Sequence, residues 1–111
     1  MKIVDIITEL NLKVYSGSHG LNREVNGAYV SDLLSDVMGN AEEGEVWITL
    51  QTHKNILAVA SLKELSAIIL VKGLVPDKDT IDKSNEENIP VLGTDQETFK
   101  IAGRLYEILI D

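Results

Sequence analysis

The sequence contains no cysteine. That absence removes disulfides, thiolate nucleophiles and cysteine-ligated zinc or iron–sulfur centres together, and it suits a reducing cytosol. Aromatic residues are also scarce: Tyr15, Tyr29, Trp47, Phe99 and Tyr106. A core must therefore be built mainly from Ile, Leu and Val, as where a sheet packs against helices. Positive charge is in short supply, with ten Lys and Arg against eighteen Asp and Glu and a net charge of −8. The cations are scattered, so a phosphate backbone would be repelled and nucleic-acid binding is not expected. Apolar runs such as Ala67 to Val71 fall far below the roughly 20 residues that span a bilayer. The opening stretch MKIVDIITEL carries Asp5 and Glu9 among its apolar residues, unlike a signal peptide. The expectation is a soluble, cytoplasmic protein with no membrane partner.

What is present points to one domain over residues 1–111. The length and the 44% hydrophobic content suit a single core that buries roughly two-thirds of the unfolded surface. Apolar spacing at Ile3, Ile6, Ile7 and Leu10 predicts a helix. Leu12 and Val14 predict a short strand running into the turn Ser16 to Gly20, and VNGAYV (25–30) a second strand broken by Gly27. Ser31 is placed to cap a short helix, SDLLSDVMGN, ending at Gly39 and Asn40. From Glu45 the signals alternate. EVWITL is a strand, ILAVASLKEL a helix, and AIILV a strand apolar enough to be covered on both faces. Asp77 opens a polar helix, IPVL (89–92) is a further strand, and Thr94 with Glu97 has the T-x-x-E form of a capping box before the last helix. Strand–helix alternation of this kind predicts an α/β domain, three-layer-like, with a mostly parallel central sheet covered by helices.

Candidate chemistry is concentrated in TLQTHKN (49–55), at the carboxyl end of a predicted strand. Ligands of open α/β sheets bind beyond such ends, where helix N-termini offer free N–H groups. With Thr52 as N-cap, His53, Lys54 and Asn55 would surround that helix start with a ring, a cation and an amide, a set suited to phosphate, carboxylate or nucleotide. The plainer account has Thr52 capping, Asn55 satisfying the first turn, and His53 merely exposed. A second group is Ser31, Asp32, Ser35 and Asp36. On a helix, Asp32 and Asp36 would share one face and could hold a cation or accept from hydroxyls; equally, carboxylates there complement the helix dipole. The Ser16-Gly17-Ser18-His19-Gly20 loop could offer amides to a phosphate, but it has the form of an ordinary turn.

Other chemistries lack their residues. Gly39 to Gly44 has the glycine spacing of a P-loop, but Glu45-Val46 follows where Lys and Ser or Thr are required, and Glu42 and Glu43 would repel a triphosphate. The two histidines, His19 and His53, belong to no H-E-x-x-H pattern, and no serine sits in a G-x-S-x-G elbow. No catalytic residue, metal site or cofactor is expected.

The stretch LNREVNGAYVSDLLSDVMGNAEEGEVWITLQTHKNILAVASL (21–62), with AIILVKGLVPD and ENIPVLGTDQETFKIAGRLY, resembles the DRTGG domain family over nearly the whole chain. Asn22 to Gly27 stands in place of the namesake turn, with Asn22 where the family has an acidic residue and Asn26 where a small one is frequent. The resemblance implies a fold similar to the N-terminal domain of HPr kinase/phosphorylase, apart from that enzyme's catalytic domain. Related segments occur in phosphotransacetylases and in pyrophosphatases with nucleotide-binding regulatory domains, as accessories to catalytic modules. It therefore implies a regulatory or ligand-sensing domain acting with a partner enzyme, phosphotransfer- or hydrogenase-related, or else an interaction module without a small ligand. A homodimer is expected in either case, because a single small sheet leaves an edge or an apolar face needing cover.

Overall fold

Side chains on the central strands alternate between two separate cores, and this alternation organises the molecule. In the strand Glu45–Thr49 (β3), Val46 and Ile48 point to one core while Trp47 points to the other; in Ala67–Leu70 (β4), Ala67 and Ile69 oppose Ile68 and Leu70. All seven are fully buried. Strands covered on both faces read as unbroken apolar runs, which is why AIIL carries no polar residue.

The computed structural model describes residues 1–110. Its remaining strands are Lys13–Ser16 (β1), Gly27–Val30 (β2) and Val91–Gly93 (β5), in the sheet order β1-β5-β4-β3-β2. β2 to β5 run parallel, and β1 joins β5 antiparallel, with Lys13 opposite Gly93. The helices are Ile3–Leu10 (α1), Leu34–Asn40 (α2), Asn55–Leu62 (α3), Lys78–Glu87 (α4) and Thr98–Leu109 (α5). Ile3, Ile6 and Leu10 of α1 and Ile101 and Leu105 of α5 fill one core; Val37 of α2 and Ile56, Leu57, Val59 and Ala60 of α3 fill the other. α4 packs beside α3 and against β1. The expected three-layer α/β domain with a mostly parallel sheet is observed. Among the described residues no helix is long and apolar enough to cross a membrane.

Several local expectations are corrected. Ser31 does not cap α2, which starts only at Leu34; the Ser31 hydroxyl instead accepts from the Leu33 N–H at 3.2 Å in a tight turn. Gly27 begins β2 and does not interrupt it. The capping box at Thr94 and Glu97 does not form. Glu97 is itself the N-cap of α5, and the Thr94 hydroxyl accepts from the Gln96 N–H at 3.2 Å.

The residues standing for the namesake motif are structural ties. Arg23 donates through Nε to the Asn88 carbonyl (3.2 Å) at the carboxyl end of α4, while its own carbonyl accepts from the Ile3 N–H (3.0 Å) at the start of α1. The Asn26 N–H donates to the Gly44 carbonyl (2.9 Å). The segment thus pins α1, the end of α4 and the turn that enters β3 to the same corner.

Candidate functional site

The four parallel strands direct their carboxyl ends to one edge of the sheet, and Ser31, Asp32 and Thr52 to Asn55 lie along it, whereas the Ser16–Gly20 loop follows the antiparallel β1 at the opposite edge. At the β2 and β3 ends, the Trp47 indole N–H donates to the Ser31 carbonyl (2.8 Å), and the Ser31 N–H donates to the Ile48 carbonyl (3.3 Å). Asp32 Oδ1 accepts from the Thr49 hydroxyl (3.0 Å) and from the Leu50 N–H (2.8 Å), and Gln51 Nε2 donates to the Asp32 carbonyl (2.9 Å). Asp32 therefore holds two strand ends together.

Thr52 does not cap α3. The N-cap position is Lys54, and the Thr52 carbonyl is taken up by the Asp77 N–H (3.2 Å) and the Thr80 hydroxyl (2.7 Å) at the start of α4. The first turn of α3 is closed from His53, whose Nδ1 accepts from the Asn55 N–H at 3.2 Å. His53, Lys54 and Asn55 are exposed. The structure thus brings Ser31 and Asp32 beside the β3 end that leads into Thr52.

Asp32 and Asp36 do not form an acidic pair, because the helix on which they would share a face begins after Asp32. Asp36 turns to the Tyr29 hydroxyl, which donates to both carboxylate oxygens (2.9 and 3.0 Å), and to Asn40 Nδ2 (3.0 Å). Hydrogen bonding from the Ser31 hydroxyl, then from Tyr29 and Asn40, holds the Asp36 carboxyl below the ordinary carboxylate value, against a smaller opposing effect of burial. The same Asp36 bond, with burial, raises the Tyr29 phenol. The Ser16–Gly20 loop is committed as well: the Ser16 hydroxyl donates to Ser84 Oγ (2.8 Å) and the Gly17 N–H to Asn85 Oδ1 (2.8 Å).

Further along the same edge lies a cavity of about 600 Å³ that the sequence reading missed. Helices α2, α3 and α4, which follow β2, β3 and β4, cover one face; α5, which follows β5, crosses to the other. The connections leaving β4 and β5 therefore diverge, and the crevice between them is the topological switch point at which open α/β sheets bind ligands. Gly73 and Val75 from the β4 side, Gly93 to Gln96 from the β5 side, Lys13 and Tyr15 from β1, and Arg104 from α5 all line it. Two left-handed residues, Lys72 (φ 58°) and Gly73 (φ 71°), make its turn, tied by Lys72 N–H to the Gln96 carbonyl (2.9 Å) and Gly73 N–H to the Thr94 carbonyl (2.9 Å). A glycine shortly after the apolar strand β4, in KG (72–73), and one that closes β5, in GT (93–94), are the sequence signal for these turns. Lys13 and Arg104 carry none.

Fold and crevice together define an open-sheet α/β domain with a polar cleft at its switch point. The chain belongs to the DRTGG domain family, whose profile matches residues 5–108. It is similar in structure to the CBS and DRTGG domains of the regulatory region of Clostridium perfringens pyrophosphatase, solved in complex with an activator, diadenosine tetraphosphate. That similarity has a TM-score of 0.69 at 18% identity and covers 91% of this chain and 44% of the clostridial one, so the present chain spans less than half of that region. No curated protein matches the chain.

Proposed function

We propose that this chain is a non-catalytic regulatory module that binds a small anionic, phosphate- or nucleotide-containing ligand at the carboxyl edge of its sheet and acts with a partner enzyme. The observation that carries this reading is that residues 5–108 are one DRTGG domain, a module that in the clostridial pyrophosphatase belongs to a regulatory region solved with a nucleotide activator. The partner proposed is a phosphotransfer- or hydrogenase-related enzyme, as family resemblance implies. Two seats on the edge are open to the ligand. One is Thr52, His53, Lys54 and Asn55 with Ser31 and Asp32; the other is the switch-point crevice.

A thermal-shift panel of nucleotides, diadenosine tetraphosphate, sugar phosphates and acetyl phosphate tests the function. A ligand at a hundred times its Kd stabilises by about 2.7 kcal/mol, a rise in Tm on the order of 10 °C for a domain this size. Loss of that rise in the double variant H53A/K54A places the ligand at the first seat. Silence across the panel at millimolar concentration sinks the ligand-sensing reading.

One observation favours the alternative, a dimerisation module without a ligand. Phe99 (92% exposed), Tyr106 (66%) and Ile110 (60%) form with Gly103 a stripe at helical spacing on the outer side of α5. Beside it, Tyr106, Ile110 and Ala102 line a groove of about 440 Å³ with Gly27, Ala28 and Val30 of the edge strand β2. Exposed aromatics next to an uncapped strand edge fit a second copy of this chain. Light scattering should give twice the chain mass for the wild type and the single mass for F99S/Y106S with unchanged far-UV circular dichroism. A monomeric wild type at tens of micromolar removes this reading.

A further inference from the structure

We propose that the switch-point crevice is the ligand seat, and that it takes a phosphate monoester whose carrier bears hydroxyl or amino donors. The proposal rests on the regulatory reading above and deepens it by naming the site and the ligand chemistry.

Three features of the crevice lead there. Lys13 and Arg104 both line it, and among the described residues neither forms a salt bridge, although the protein carries eight more negative than positive charges. Arg104 is held by Nη2 donating to the Glu9 carbonyl at 3.5 Å, and the Lys13 ammonium lies 5.1 Å from the centre of the Tyr15 ring. Both cations are thus positioned, one by the end of α1 and one by an aromatic face. Two positive charges on one cleft match a dianion, and the tetrahedral group of a phosphate monoester has oxygens enough for a guanidinium fork and an ammonium at once.

The second feature is an orphan acceptor. Gln96 Oε1 is buried and has no donor among the described residues, though buried side-chain acceptors are nearly always paired. The backbone of Gln96 is fixed on both sides, by its N–H to Thr94 Oγ1 and its carbonyl to the Lys72 N–H. The backbone of the residue is therefore fixed beside the cleft while its side-chain oxygen lacks a partner, and a donor on the ligand would supply one.

The third is Asp95, which lines the same cleft beside the Gly73 turn. A carboxylate repels a bare anion and accepts from hydroxyl or amino groups. Cations at Lys13 and Arg104 with acceptors at Asp95 and Gln96 call for a ligand with opposite needs at its two ends. A phosphorylated sugar or nucleoside has them; inorganic phosphate does not. The volume, about 600 Å³, is in the range of small-ligand sites.

The test titrates the full chain with glucose 6-phosphate, adenosine 5′-monophosphate and inorganic phosphate, followed by amide chemical shifts and thermal stability. At least one ester should perturb Lys13, Gly73, Thr94 to Gln96 and Arg104, and bind at least tenfold more tightly than inorganic phosphate. The variant K13Q/R104Q should bind that ester at least tenfold more weakly, whereas H53A/K54A should bind it unchanged. Q96L separates binding from folding, since removing an orphaned acceptor should leave the free protein as stable or more so while weakening the ester severalfold. Ester binding undiminished in K13Q/R104Q, with shifts at Thr52–Asn55, overturns the crevice and leaves the regulatory reading standing. Equal binding of inorganic phosphate marks an adventitious ion only and overturns the ligand class. Failure of both esters overturns the proposal, and the wider panel then shows separately whether the regulatory reading survives.

Discussion

Trp47→Ala should destabilise the protein by about 4 kcal/mol, the middle of the range for removing a buried aromatic from a core. The indole is fully buried between the sheet and the α2–α3 layer, in one core cluster with Val37, Ala41 and Ile56. Among the described residues no other aromatic is fully buried; Tyr15 and Tyr29 pack against the same cluster but keep part of their surface in solvent. Domains of this kind are stable by only about 5–15 kcal/mol in all, so the variant loses a large share. Trp47→Phe separates volume from hydrogen bonding. It retains much of the ring but removes the N–H that donates to Ser31, leaving a carbonyl without its donor, a loss of about 1–3 kcal/mol. Urea unfolding measures both, and hydrogen exchange adds a local readout. With Ser31 released, Asp32 no longer holds the Leu50 amide, and that amide should lose protection in both variants. An alanine variant within 1 kcal/mol of the wild type would show that the β2–β3 end does not depend on the indole.

That dependence also shows why part of the architecture was legible in the sequence and part was not. EVWIT and AIIL announce strands buried on both faces by composition alone, and the alternation with helices from Glu45 onward dictates a parallel sheet. Contact between β1 and β5 is different. Lys13 meets Gly93 across seventy-nine intervening positions, and nothing local in KVYS shows that it will run antiparallel beside VLG. The crevice inherits that opacity, since Lys13, Gly73, Gln96 and Arg104 become neighbours only once the strand order is known. Local reasoning erred for a related reason at Thr52, where side-chain capping was expected and the backbone carbonyl was instead claimed by α4, a tertiary partner. At Asp32 the error lay in the helix boundary: three residues of extended turn before Leu34 suffice to point Asp32 and Asp36 at different partners.

Gly17→Ala should be the most damaging change of a single methyl group in the chain, with an expected loss of about 3 kcal/mol or more from strain and displaced backbone together. Gly17 follows β1 with φ at +71°, a conformation that costs an L-residue about 1–2 kcal/mol. A Cβ there would overlap the Ile89 carbonyl and the Pro90 Cα. Those are backbone atoms leading into β5, so no rotamer change relieves the contact, and β1 and β5 must part. The Gly17 N–H would then leave Asn85 Oδ1, loosening α4 as well. The same substitution at Gly103 should act with the opposite sign. That residue is exposed, in the middle of α5, with nothing within 4 Å of a new Cβ, and alanine is favoured over glycine in a helix by about 1 kcal/mol. Thermal unfolding of the two variants therefore brackets the wild type. Because β1 brings Lys13 and Tyr15 to the crevice, any G17A protein that still folds should also bind phosphate esters more weakly, while G103A binds them normally. Equal melting temperatures for the two variants would mean that β1 can shift against β5 without cost, and a cleft walled by those strands could not then hold two cations at fixed positions.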